Sequence, residues 1–164
     1  MSPFVRWWRH LTITRWHVAR AFPPSTLDAI EKGIAAAERL HGGEIRFVVE
    51  RDLNVAELSS GMSPRERAIQ MFAALGVWDT SYNNGVLIYV LLADRDVEIV
   101  ADRGFGEKVS AEQWTDVCHE MEQAFAAGHF ESGALRGIEG VSRLVAQHFP
   151  AADRDELPNR PVML

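Results

Sequence analysis

The sequence predicts an α/β domain whose small sheet lies between helical layers, and three features point there. The run Gly85 to Ala93 is apolar over nine residues and reads as a central strand covered on both faces. Segments before and after it repeat their apolar residues at intervals of three and four, the helical period. The 164 residues, 47% hydrophobic and 24% charged, have the length and composition of one ordinary packed domain.

Residues 1–24 form a basic arm carrying Arg6, Arg9, Arg15 and Arg20, no acid, and Trp7, Trp8 and Trp16. Two readings of the arm stand side by side. Indole prefers the headgroup zone and guanidinium pairs with phosphate, which suits a membrane surface or a protein partner. Alternatively, the tryptophans cover the domain's own helices or sheet, because Trp is usually largely buried. Pro23-Pro24-Ser25 then predicts a helix with Ser25 as N-cap and Leu27, Ile30, Ile34 and Ala37 as its stripe. His41-Gly42-Gly43 stops it, and Glu44 to Glu50 reads as the first strand.

The loop Asp52 to Met62 has the length of a functional edge. Ser63-Pro64-Arg65-Glu66 combines a capping box with proline at the first helical position, and the helix it starts buries Ala68, Ile69, Phe72 and Leu75. The apolar strand follows the turn residues Asp79 to Gly85. It leads through Asp94-Arg95-Asp96, read as a solvated hairpin turn, into a second strand, Val97 to Ala101. Ser110-Ala111-Glu112-Gln113 is another capping box, opening a helix with Trp114, Val117, Cys118, Met121 and Phe125 on one side. Gly128 ends that helix, and Leu135, Ile138, Val141 and Leu144 mark a last one. The predicted order is α-β-α-β-β-α-α over residues 25–149, with 150–164 as a flexible acidic tail.

A net charge of −6 argues against nucleic acid as a partner, since phosphate neutralisation needs a broad basic face. With Cys118 as the one cysteine, no intramolecular disulfide forms, and a cytoplasmic location is the default expectation. Arg6, Arg9, His10, Arg15, His17 and Arg20 interrupt the apolar stretch that a signal peptide needs. The Gly85 to Ala93 run is about half the length of a membrane-spanning helix. Any membrane association is therefore expected to be peripheral to the inner membrane.

The strand Glu44-Ile45-Arg46-Phe47-Val48-Val49, the capped helix, Asn83-Asn84-Gly85-Val86-Leu87-Ile88-Tyr89-Val90 and the hairpin together resemble the TPM domain, named for thylakoid lumen and photosystem repair proteins. The resemblance spans roughly residues 25 to 148, and Val97 to Gly104 is similar to a short bacterial branch without a signal peptide. It implies a Rossmann-like α/β/α sandwich around a small mixed sheet. Relatives have been credited with acid phosphatase activity, with divalent-cation binding and with maintenance or quality control of membrane complexes. This chain departs from the commoner pattern, having Asn83 in place of an aspartate and Ala101-Asp102-Arg103-Gly104 in place of a Gly-aromatic-Gly run.

Were the first two strands parallel, a right-handed crossover would bring Asp79, Asn83, Asn84, Asp102, Arg103 and Glu107 to one sheet edge. Carboxylate and amide oxygens there suit calcium or magnesium, so Asp79, Asn83, Asn84, Asp102 and Glu107 are candidate metal ligands, with Arg103, Trp7, Trp8 and Trp16 as further binding residues. The plainer alternative is a turn with left-handed asparagines and Asp102 bonded to Arg103 or to loop amides. Asp94-Arg95-Asp96 does not match an aspartate-nucleophile phosphatase, because the chain returns directly into a strand. Cys118 lies on an apolar stripe and reads as a core residue. The six histidines show no i, i+4 zinc pair, and Gly104-Phe105-Gly106-Glu107-Lys108 lacks the Lys-Ser/Thr pair of a phosphate loop.

The sequence thus points to a binding module for a divalent cation or a protein partner, with no organic cofactor. Two alternatives are a metal-dependent acid phosphatase and a membrane-associated assembly or quality-control factor.

Overall fold

The computed structural model describes residues 3–150 and 155–164. A mixed four-stranded sheet in the order β3-β2-β1-β4 forms its centre, from β1 (Glu44–Glu50), β2 (Gly85–Leu91), β3 (Asp96–Ala101) and β4 (Val162–Met163). β1 and β2 are parallel with Glu44 opposite Gly85, β2 and β3 form the expected antiparallel hairpin, and β4 adds a parallel edge beside Val48 and Val49. Every residue of β2 is buried, as its unbroken apolar run requires.

Strand alternation divides the core in two. Ile45, Phe47, Val49, Val86, Ile88, Val90, Val97 and Ile99 meet α3 (Pro24–Glu38), α6 (Ala111–Ala126) and α7 (Phe130–His148). Val48, Leu87, Tyr89, Leu91 and Val100 form the other face, under α4 (Val55–Ser59) and α5 (Pro64–Ala74). On that face Arg67 grips Glu50 through two bonds of 2.6 and 2.9 Å, and the Tyr89 hydroxyl donates to the same carboxylate at 2.6 Å. Gly85 lets the chain from α5 return close to the sheet, because a Cβ there would lie 2.0 Å from the Val77 carbonyl oxygen.

Both predicted capping boxes are present: Ser63 accepts from the Glu66 N–H and Ser110 from the Gln113 N–H. Other expectations need correction. α3 begins at Pro24 with Pro23 in the N-cap position, so Ser25 lies inside the first turn and caps nothing. Ile69 is 49% exposed, while Met71 joins Phe72 and Leu75 against the core, which rotates the buried face of α5 from the expected one. Residues 155–164, expected as loose tail, pack along β1: Leu164 exchanges backbone bonds with Val49 and Arg51, and Leu157 is buried beside Val48. Residues 151–154 of that tail lie outside the described residues, as do residues 1 and 2 of the arm.

In the hairpin turn Arg95 is exposed, but Asp94 is not solvated as expected. The arm folds into α1 (Pro3–Thr12) and α2 (Arg15–Ala21), and α1 turns Arg6, Trp7 and His10 toward the domain. Asp94 accepts from Arg6 at 2.9 Å and from His10 at 3.0 Å. The Leu53 N–H donates to Nδ1 of His10, which places the ring proton on Nε2, facing Asp94. Burial opposes charge on Asp94, but the bonds from His10 and Arg6 outweigh it and hold its pKa below the ordinary value. Asp94→Ala is expected to lower the unfolding free energy by about 2 kcal/mol, the scale of losing a charge-assisted bond to a buried partner. Urea denaturation measures this, and unchanged stability would show that the bonds from Arg6 and His10 to Asp94 add no net stability.

Candidate metal centre

α3 ends at Glu38, and the chain turns through Gly42 and Gly43 into β1, placing Glu44 at the strand's first position. A Cβ on Gly43 would lie 2.3 Å from Val145 Cγ1, so glycine lets this turn press against α7. Glu38 reaches across the turn, its Oε1 accepting the Ile45 N–H at 2.8 Å. Glu44 is 3% exposed, and its Oε2 accepts the N–H groups of Glu156 at 3.2 Å and Leu157 at 3.0 Å. Those two bonds draw the C-terminal segment in and bring Asp155 with it. Ligand oxygens of Glu38, Glu44 and Asp155 lie within 4.8 Å of one another.

The electrostatics follow from this crowding. Burial pushes the Glu38 carboxyl up to about 8; Glu44 and Asp155 add to the rise, and the Ile45 N–H and neighbouring Asn159 amide oppose it. Burial likewise raises Glu44, against the two N–H bonds it accepts. Glu38 Oε2 and Asn159 Oδ1 are buried with no hydrogen-bond partner. An oxygen-only donor set from three chain segments, with excess negative charge and unpaired lone pairs, is the chemistry that hard divalent cations match. A bound cation would also reverse the pKa rise by favouring the ionised carboxylates.

The residues singled out from sequence lie at the same end of the sheet, around the start of β2 and the end of β3. Asn83, at φ 53° in the left-handed region, offers its carbonyl oxygen to the Gly104 N–H at 2.9 Å and its Oδ1 to Arg103 Nε at 2.8 Å. Asp102 accepts the Arg103 N–H at 2.7 Å through Oδ1, while its Oδ2 is buried and unpartnered. Asn84 is spent on the turn before β1: its side-chain amide donates to the Gly42 carbonyl, leaving Oδ1 buried without a partner. Asp79 and Glu107 are exposed and bond to none of these three. The geometry thus joins Asn83, Asp102 and Arg103, with a guanidinium already supplying positive charge among them. Of the arm tryptophans, Trp7 packs against the core, whereas Trp8 and Trp16 are each 62% exposed.

Sequence reasoning missed Glu38, Glu44 and Asp155. A signal existed for Glu44, an acid opening an otherwise apolar buried strand directly after two glycines. Glu38 follows the apolar stripe of α3 with no local sign that it folds inward, and nothing local in residues 155–159 announces that they return to the sheet.

The TPM domain matches residues 18–144, so the match begins within α2. The NMR structure of the BA42 protein from the psychrophilic bacterium Bizionia argentinensis superposes with a TM-score of 0.74 at 32% identity, covering 85% of this chain and 93% of that one. The N-terminal domain of a protein from P. gingivalis has the same fold, with a TM-score of 0.63 at 16% identity over 81% of this chain and 82% of that one. No curated protein matches the chain.

A carboxyl whose pKa is higher folded than unfolded binds its proton more tightly in the native state, so it disfavours folding as it ionises. For Glu38 the window runs from the ordinary glutamate value of 4.5 up to about 8. In cation-free buffer the stability of the wild type, relative to Glu38→Gln, should fall as pH rises from about 5 to 8 and level off above that. Thermal unfolding of both proteins across this range checks it, and a pH-independent difference would remove the crowded-carboxylate account.

Proposed function

The chain belongs to the TPM domain family, and we propose that it serves there as a divalent-cation-binding module, its ion held by Glu38, Glu44 and Asp155. The observation carrying this reading is the convergence of three carboxyl groups within 4.8 Å, with a buried, unpartnered oxygen on Glu38 beside them. Oxygen ligands select calcium or magnesium over softer metals. The ion would tie the end of α3, the start of β1 and the C-terminal segment together, so binding and closure of residues 155–164 over the sheet edge are one event. Asn83, Asp102 and Arg103 then form a neighbouring polar rim. Their mixed charge suits holding the loops before β2 and after β3 in register.

Calorimetric titration with calcium and with magnesium at pH 7 tests this. Glu38 must release its proton to bind metal, so the expected result is one ion per chain with proton release, seen as a dependence of the heat on buffer ionisation enthalpy. Glu44→Gln keeps an oxygen to accept from Glu156 and Leu157 but removes the charge, and should weaken binding at least tenfold, about 1.4 kcal/mol. Asp102→Asn should leave affinity within twofold. The reverse pattern would move the ion to the rim of Asn83 and Asp102. Phosphomonoester turnover that needs the cation and disappears in Glu44→Gln would replace a binding module with a phosphatase.

A further inference from the structure

At the opposite end of the sheet, a cavity of about 710 Å³ opens between α2, the carboxyl end of β2 and the second half of α6. Its position is the one at which parallel α/β sheets take ligands, beyond the carboxyl ends of the strands. Its size falls within the ~300–1,000 Å³ of small-molecule sites. The walls are apolar, from Val90, Leu92, Phe125 and Phe130.

The rim is cationic, in a protein whose net charge is −6. Arg9, Arg20 and Arg95 reach it from three segments, while the acid there, Glu122, already accepts the Val97 N–H at 3.1 Å. Arg20 lies over the Trp16 ring, 5.3 Å from its centroid, which fixes the guanidinium without neutralising it. Among the described residues neither Arg20 nor Arg95 forms an ion pair. Arg95 is carried on the hairpin turn in the left-handed region at φ 57°, a conformation that L side chains seldom adopt. Arg9 is held below its ordinary pKa, first by burial and then by Arg95, with Asp94 opposing. Guanidiniums that repel one another over an apolar floor favour a ligand with a negative head and a hydrocarbon body.

We propose that this cavity binds an anionic amphiphile, a carboxylate or phosphate on an apolar chain, with its head group between Arg20 and Arg95 and its chain against Phe125 and Phe130. The site is separate from the carboxylate cluster and does not depend on the cation reading. Unbranched fatty acids and single-chain phospholipids share this chemistry, and the head group distinguishes them.

The test titrates the full chain with dodecanoate and with dodecyl phosphate, each below its micelle concentration, following Trp fluorescence and calorimetry. Expected is saturable one-to-one binding, with dodecyl maltoside and inorganic phosphate each at least tenfold weaker. The tighter of the two anions identifies the head group. Arg20→Ala combined with Arg95→Gly, which suits the positive φ, should cost at least tenfold. Ala126→Trp, at an exposed position lining the cavity, should block binding while leaving thermal stability near that of the wild type. Equal affinity for the neutral detergent, indifference to both variants, or attachment to phosphatidylglycerol vesicles with no binding of monomeric amphiphile would each overturn the proposal.

Discussion

The amino end of the sheet depends on one carboxylate. Glu44 opens β1, where the backbone is already committed to pairing with β2, and its side chain accepts two N–H groups from the C-terminal segment. Those bonds hold residues 155–157 against the sheet edge, from which β4 continues as the fourth strand. The same carboxylate crowds Glu38 and Asp155. Structural closure and excess negative charge are therefore two consequences of one interaction, and a bound cation would neutralise the charge that closure concentrates.

The two ends of the sheet are chemically opposed. Acidic oxygens gather at the amino ends of β1 and β2, and arginines gather beyond their carboxyl ends. Strand β2 runs between them with no exposed residue, so neither set of charges interrupts the core. Asp94 fixes the second end as Glu44 fixes the first: it anchors α1 through Arg6 and His10, and α1 in turn carries Arg9 to the cavity rim. Because the polar side of α1 faces the domain, Phe4, Trp8 and Leu11 are left outward at 78%, 62% and 64% exposure. An amphipathic helix with its apolar stripe in water is unusual for a packed extension.

What the sequence made legible was whatever depends on neighbours a few positions apart. The boxes at Ser63 and Ser110 and the hairpin of β2 and β3 are local patterns, and they appear as read, whereas Ser25 caps nothing and the buried face of α5 is rotated. The other failures involve partners far along the chain. Asp94 resembles any turn aspartate until Arg6 and His10, more than eighty positions away, cover it. Likewise Leu157 and Val162 carry too short an apolar pattern to announce a strand, and β4 exists because β1 offers it an open edge. At the candidate site, oxygen-bearing residues near Gly85 and Gly104 did come together, yet Arg103 engages Asn83, and the denser carboxylate set lay one strand over.

Backbone amide shifts during a calcium titration address the central claim most directly, since they locate the ion by residue. The account predicts that the largest movements fall on Glu38, Glu44, Ile45, Asp155, Glu156, Leu157 and Asn159, saturating together. Movements centred on Asn83, Asp102 and Gly104 with those positions still, or none at millimolar calcium, would contradict it.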